Sequence, residues 1–442
     1  MFELVLEGRI LRKGHPVDAF ICVNGGLIEE IRRIRPGNGE IGELHRMGRR
    51  ILLPGVIDTH VHMRDPGLTM KEDMYSGSVS AAFGGVTAFI DMPNNKPPTM
   101  DSRTLREKER IASASSVIDH GFNLCITAGS DREEIERTIR AGGGSPKPPA
   151  LKVFMGETTG SLIFGPYDDL ADWAPVLERN ELPLCIHAED GDMFQDKRAD
   201  NGDILANHNG SRPPVAEASS IEKVLSSLSD TRKMVHILHV SSAMGMDAAR
   251  GQDCTLEATP HHLFLDIKKA EKMLEDPAFA KVNPPIRSTS DRAALWDGIQ
   301  DGRIFTIGSD HAPHTLEEKM RGAASPSGMP GTETMLPLLL HQVSKRRIGL
   351  GRVIDLLSRN PADRFSLSGR GSIDKGNKAD IIAVDLSNSR MIKAEELHSK
   401  CGWSAFEGMM GIFPDKVYSR GELIVEGESL CCKKGRGLPI FD

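Results

Sequence analysis

The chain has 442 residues, 39 % of them hydrophobic and 26 % charged, with a formal net charge of -7. That length exceeds one minimal core and suits a single α/β barrel with a smaller accessory domain, in an ordinary globular composition. The acidic balance excludes a global pull toward nucleic acid or anionic membrane, so an anionic substrate would need a local cationic pocket.

In chain order, "FELVLEGRILRKGHPVDAFICVNGGLIEEIRRI" (2–34) reads as short strands with turn signals at "KG" and "NGG". The start lacks the charged and apolar regions of a signal peptide, and no apolar stretch approaches the roughly 18 to 20 residues of a membrane span. Short apolar runs then alternate with amphipathic stretches. The runs are 52–62, 86–93, 121–129, 150–156, 182–190, 233–242, 254–262 and 304–314, with helical patterns such as 69–85, 131–141, 167–180 and 215–229 between them. Eight βα units of this kind close into a (β/α)8 TIM-type barrel. "GGGSPKPP" (142–149) reads as a loop. The tail, "GNKADIIAVDLSN" (376–388) and "KVYSRGELIVEG" (416–427), returns to short strands. Neither end has enough strands alone, so both are expected to build one small β-sandwich domain. The expected boundaries are 1–51 and 368–442 for that domain and 52–367 for the barrel. Seven cysteines show no CxxC spacing, and adjacent Cys431 and Cys432 do not suit an ordinary disulfide. Free thiols in a reducing, cytoplasmic setting are expected.

Alternate side chains of a strand face the same way, so His60 and His62 of "IDTHVHMRDPG" project together and are able to share a metal. A lone HxH pair fits two satisfied polar residues equally well. The odds change because His187, His239 and Asp310 are expected to end the fifth, sixth and eighth strands, where barrels of this kind carry catalytic groups. Four histidines and a carboxylate exceed the needs of one four-coordinate zinc, so two metals are the better reading. Lys152, in "LKVFMGETTG" on the fourth run, would be a costly buried charge if it faced inward. A neutral amine there is able to take up carbon dioxide and become a bridging carbamate. Alone, Lys152 fits a solvent-facing or salt-bridged lysine; among these histidines it reads as the bridge.

"DTHVHMRDPG", "DMPNNKPPT", "LKVFMGETTG", "HAED", "HILHVS", "EATPHHL", "KVNPPIR", "SDHAPH" and "MPGTETMLPLLL", nine in order, resemble the dihydroorotases of the cyclic amidohydrolase family. The resemblance implies one Zn(2+) held by His60, His62 and Asp310 and another by His187 and His239. Carboxylated Lys152 and hydroxide would bridge the two. It further implies reversible closure of N-carbamoyl-L-aspartate to L-dihydroorotate, a small-molecule substrate, no nucleic-acid or membrane partner, and a homodimer. Asp310 is the candidate general base.

The substrate carboxylate calls for a guanidinium, and Arg64 lies two positions beyond His62. By resemblance Asn94 and His314 also hold this carboxylate and Asn283 holds the ring; position alone explains Asn94 equally well as a turn residue. Asp65, Asn95 and Ser309 depart from the commonest pattern by small changes. Allantoinase, dihydropyrimidinase and a non-catalytic relative are the rivals; Arg64, Asn94 and "APH" after Asp310 argue against the first two, and the filled ligand positions against the third. His236, three residues before His239, is expected on the opposite strand face as a packing histidine. His261 and His262 fit outer support or structure, and His311 takes no role. The Gly-rich loop "GETTGSLIFGP" (156–166) is a candidate for closing over substrate.

Overall fold

The computed structural model describes residues 1–141, 146–157, 162–195 and 203–441. Residues 142–145 of the expected loop 142–149, and 158–161 of the Gly-rich loop, lie outside them.

Strands β1 (Phe2–Arg12), β2 (His15–Asn24), β3 (Leu27–Arg32) and β4 (Ile41–Pro54) come first. Then follow β5 (Val56–Val61), β6 (Val86–Asp91), β7 (Asp119–Phe122), β8 (Leu124–Cys125), β9 (Leu151–Phe154), β10 (Leu184–His187), β11 (Val235–Ile237), β12 (Thr255–Ala258) and β13 (Ile304–Ile307). The chain finishes with β14 (Ile381–Val384), β15 (Arg390–Met391), β16 (Met410–Gly411), β17 (Lys416–Ser419), β18 (Glu422–Glu426) and β19 (Ser429–Leu430).

The middle strands are parallel. They form one sheet in the order β5-β6-β7 and a second in the order β8-β9-β10-β11-β12-β13. Every residue of β5, β6, β9, β10 and β11 is buried, as expected for parallel strands covered on both faces. Helices lie between them. Met74–Phe83, for example, starts where the Asp73 carboxylate accepts from the backbone of Tyr75 and Ser76. A parallel bridge between Val61 and His311 ties the end of β5 to the chain just after β13.

The two ends of the chain meet in one eight-stranded sheet, in the order β19-β18-β17-β14-β4-β1-β2-β3. The long β4 makes this possible: it pairs parallel with β1 and, through its last residues, antiparallel with β14. Leu4, Leu6, Ile21, Met47 and Tyr418 form part of a core belonging to this sheet. Among the described residues, no helix is long and apolar enough to cross a membrane.

Several strands are shorter than the apolar runs that predict them. Run 233–242 yields only Val235–Ile237, and run 304–314 only Ile304–Ile307. The apolar character continues past the strand because the segments that follow are buried as well.

Candidate metal and active site

The C-terminal ends of the parallel strands converge on one cavity. His60, His62, Arg64, Asn94, Lys152, Phe154, His187, His239, Asn283, Asp310, Ala312, Ser327 and Gly328 line it. Three of these, Arg64, His239 and Asp310, have φ values of 61°, 39° and 45°, in the left-handed region that side chains other than glycine rarely occupy.

On β5 the strict alternation is interrupted. An extra residue sits between Asp58 and Val61, opposite Phe89 and Asp91 of β6. Thr59 and His60 consequently both reach Glu257 of β12, yet the His60 and His62 rings remain neighbours, 5.5 Å apart. One nitrogen each of His60 and His62 and one oxygen of Asp310 lie within 4.8 Å of one another.

The partners of these rings assign their protons. His60 Nδ1 lies 2.7 Å from Glu257 Oε1, and His62 Nδ1 lies 2.7 Å from Asn94 Oδ1, so each donates there. Both Nε2 lone pairs then face Asp310 Oδ1, at 3.3 Å from His60 and 3.1 Å from His62. Two lone pairs and a carboxylate oxygen turned toward one point are the arrangement a cation stabilises. Burial opposes a charged His60, but Asp310 and Glu257 still raise its pKa above the ordinary value. Burial likewise works against the Asp310 anion, and the surrounding histidines nevertheless hold its carboxyl well below the usual range.

A second pair stands beside the first. His187 Nε2 lies 2.8 Å from Glu189 Oε2 and donates to it, leaving Nδ1 bare, 3.0 Å from His239 Nε2. His239 Nδ1 is buried without a hydrogen-bond partner. Glu189 stays ionised despite burial because Arg212 grips both of its oxygens and His187 donates to one of them.

Lys152 on β9 is 1 % exposed, and its Nζ has no hydrogen-bond partner. Cys125 and Cys185 flank it in register on β8 and β10, and the Phe154 ring centroid is 4.4 Å from Nζ. Burial pushes its pKa down to about 8.

Across the cavity, Arg64 Nε donates to Pro313 O at 3.1 Å. Asn283 Oδ1 accepts from His208 Nε2 at 2.9 Å. His314 stands against Arg64 at the cavity wall: its Nε2 lies 3.2 Å from Arg64 Nη2 and 3.1 Å from Ser327 O, and its Nδ1 accepts from Lys71. Burial, with Arg64, Lys71 and Lys319 nearby, keeps this ring neutral. Lys319, also buried, donates to Pro326 O at 3.0 Å and Gly328 O at 3.1 Å, and so holds the wall formed by Ser327 and Gly328.

The expected opposition of His236 and His239 rests on a continuous strand, but β11 ends at Ile237 and His239 turns into the left-handed region. His236 packs through Thr255, as a packing histidine would, while its Nε2 lies 3.8 Å from Glu257, the carboxylate that holds His60. His262 is fixed by Thr259 and the Pro284 carbonyl. His261 Nε2 is buried without a hydrogen-bond partner, and His311 accepts from Gly331 N.

Sequence reasoning missed Glu257, Glu189, Arg212 and Lys319. A glutamate inside an otherwise apolar run, "TLEATP", was the available signal for Glu257, and "HAED" places Glu189 two residues after His187; Arg212 carries none, because its partner Glu189 comes from a distant segment.

The sequence profile of the Amidohydrolase family matches residues 51–424. A dihydroorotase of Halobacterium salinarum is 38 % identical over 392 residues, 88 % of this chain and 89 % of that one. A dihydroorotase of Pyrococcus furiosus is 35 % identical over 437 residues, 98 % of this chain and 94 % of that one. Among solved structures, an L-hydantoinase (dihydropyrimidinase) from Arthrobacter aurescens superposes with a TM-score of 0.92 at 27 % identity, each chain covered to 99 %. The chain belongs to the amidohydrolase family and, within it, to the family of the dihydroorotases.

Proposed function

We propose that the chain catalyses the reversible closure of N-carbamoyl-L-aspartate to L-dihydroorotate and water, the ring-forming step of de novo pyrimidine synthesis. One observation carries the choice of substrate within the family: a buried guanidinium, Arg64, lines the cavity beside the histidine–aspartate cluster. A buried cation there calls for an anionic partner, and a carboxylate is the group a guanidinium grips in bidentate fashion. Dihydroorotate and carbamoyl aspartate carry that carboxylate; dihydrouracil does not.

The donor set suits metal. His60, His62 and Asp310 would hold one Zn(2+), and His187 and His239 a second. Lys152 would join them as a carbamate, formed when its neutral amine adds carbon dioxide and loses one proton. Its unpartnered Nζ and lowered pKa favour that reaction. When bound, the pair of ions supplies Lewis acidity to the scissile carbonyl and makes an attacking water acidic enough to react near neutral pH.

The chain's own groups do the rest. Arg64, Asn94 and His314 fix the carboxylate, with His314 3.2 Å from Arg64 Nη2, and Asn283 meets the ring. Asp310 takes the proton of the attacking water and returns it to the leaving ring nitrogen; in the biosynthetic direction the order reverses. Glu257 and Glu189 keep His60 and His187 in the tautomers that leave a lone pair facing the cavity.

The remaining architecture is part of the same reading. The Val61–His311 bridge supports closure of the parallel strands into a (β/α)8 barrel spanning 52–367. The terminal sheet, from 1–51 and 368–442, would fold over its own core as a sandwich. Seven unpaired cysteines fit a reducing cytoplasm.

The test is turnover by the purified, zinc-loaded protein of L-dihydroorotate and N-carbamoyl-L-aspartate, beside allantoin, dihydrouracil and hydantoin. Activity confined to the first two supports the reading. Activity only on the others keeps the metal site and overturns the substrate; no turnover with metal bound points to a non-catalytic relative.

A further inference from the structure

Lys108 has no place in the chemistry above, yet it is completely buried on the helix Ser102–Ser115. Its Nζ lies 2.5 Å from Asp91 Oδ2 and donates to Met92 O at 2.8 Å and Asn95 Oδ1 at 2.6 Å. These partners belong to the end of β6 and the loop that follows it. The same groups also grip the loop after β5. Asp91 Oδ1 accepts from Met63 N at 2.7 Å, and Asn95 Nδ2 donates to Asp65 O at 2.9 Å.

The anchored positions are telling. Met63 and Asp65 flank Arg64, whose own backbone is left-handed, and Asn95 follows Asn94 directly. A buried ion pair is weak evidence for stability, since its desolvation cost offsets much of its attraction. Its connectivity, however, fixes how two loops sit relative to each other, as a satisfied polar network does. Around the reacting centre, His60 and His187 have separate supports, Glu257 for the first and Glu189 with Arg212 for the second, whereas His62 rests on Asn94 itself.

We propose that Lys108 is a positioning residue for substrate recognition: with Asp91 and Asn95 it locks Arg64 and Asn94 at the spacing that one carboxylate needs. This rests on the assignment of Arg64 to the dihydroorotate carboxylate. Loosening the lock weakens substrate capture while the chemical step, held elsewhere, continues.

The test uses the full-length, zinc-loaded protein with L-dihydroorotate as the probe. Removing Lys108 alone would strand a buried carboxylate, so the variants are the neutralised pair Lys108→Met with Asp91→Asn, and separately Asn95→Ala, which cuts both of its links. Assayed at saturating zinc, each is expected to raise KM roughly 10-fold while kcat stays within about 3-fold, since Asn94 is still present as the partner of His62. A KM within about 2-fold of wild type, or a fall in kcat or bound zinc in place of the KM change, overturns the proposal. If the paired variant does not fold, Asn95→Ala decides alone by the same criteria. Wild-type protein that fails to turn over L-dihydroorotate would remove the assignment of Arg64 itself, and the Lys108 proposal with it; variants that match an active wild type remove only the latter.

Discussion

His62 donates from Nδ1 to the carboxamide oxygen of Asn94 at 2.7 Å, so one residue joins the histidine–aspartate cluster to the cavity wall that Arg64 also lines. On the proposed reading, Asn94 therefore has two functions where Arg64 has one. Replacing Asn94 by Ala is expected to lower zinc affinity by about 10- to 100-fold as well as raise KM, because the ring loses the partner that fixes its tautomer. Arg64→Met should keep its zinc and raise KM for L-dihydroorotate roughly 100-fold, the loss of about 3 kcal/mol of charge-assisted hydrogen bonding. Metal analysis of both variants beside steady-state kinetics checks this, and equal zinc loss in both would contradict it.

Asp310 is both a cluster member and the proposed proton carrier. Asp310→Ala is expected to depress ring opening and ring closure alike by at least roughly 10⁴-fold, since proton transfer and a ligand are lost together. Ultraviolet assays run in the two directions test it; near-normal turnover either way would remove the proposed base.

Lys152 offers a sharper chemical test. Lys152→Ala is expected to lose most of its bound zinc and its activity, and to regain part of both in a short carboxylic acid such as acetate, which fits the vacated space and supplies the same pair of oxygens. In the wild type, carbon-13 bicarbonate should yield a carbamate resonance that the variant lacks. Full zinc occupancy and turnover in Lys152→Ala would exclude the bridging role.

Lys319 gives a pH dependence that does not involve the cluster. Burial, with Lys281 nearby, lowers its pKa from 10.5 to about 7 in the folded chain. Between those values the unfolded chain holds the proton and the folded chain does not, so unfolding takes up a proton and stability rises with pH. This contribution is complete above the unfolded value and is lost as pH falls through about 7. The difference in Tm between wild type and Lys319→Met should therefore shift in favour of wild type from pH 7 to pH 9. A difference that stays flat over that range would mean Lys319 keeps its proton when buried.

The cluster itself was legible in the sequence because His60, His62, His187, His239 and Asp310 stand at or just beyond the ends of strands, which such a fold brings together, with Lys152 inside β9 among them. The supporting groups were less so. Glu257 stands near the end of β12 but serves His60 of β5, and Arg212 serves His187 through Glu189; such pairings appear only once the strands are in place. His236 marks the limit of pattern reading: the alternation rule fails for His236 and His239 where β11 stops. The departures Asp65 and Asn95 seemed unrelated in the sequence and are hydrogen-bonded to each other in the fold.

Arg64, His239 and Asp310 all hold backbone angles that glycine or asparagine would adopt more readily, at a cost of about 1 kcal/mol each. Glycine at any of these three places would relieve the backbone and at the same time remove a buried side chain that lines the cavity. Evolution toward thermal robustness has to find its gains elsewhere in the chain, because here the local preference of the backbone and the work of the side chain are opposed.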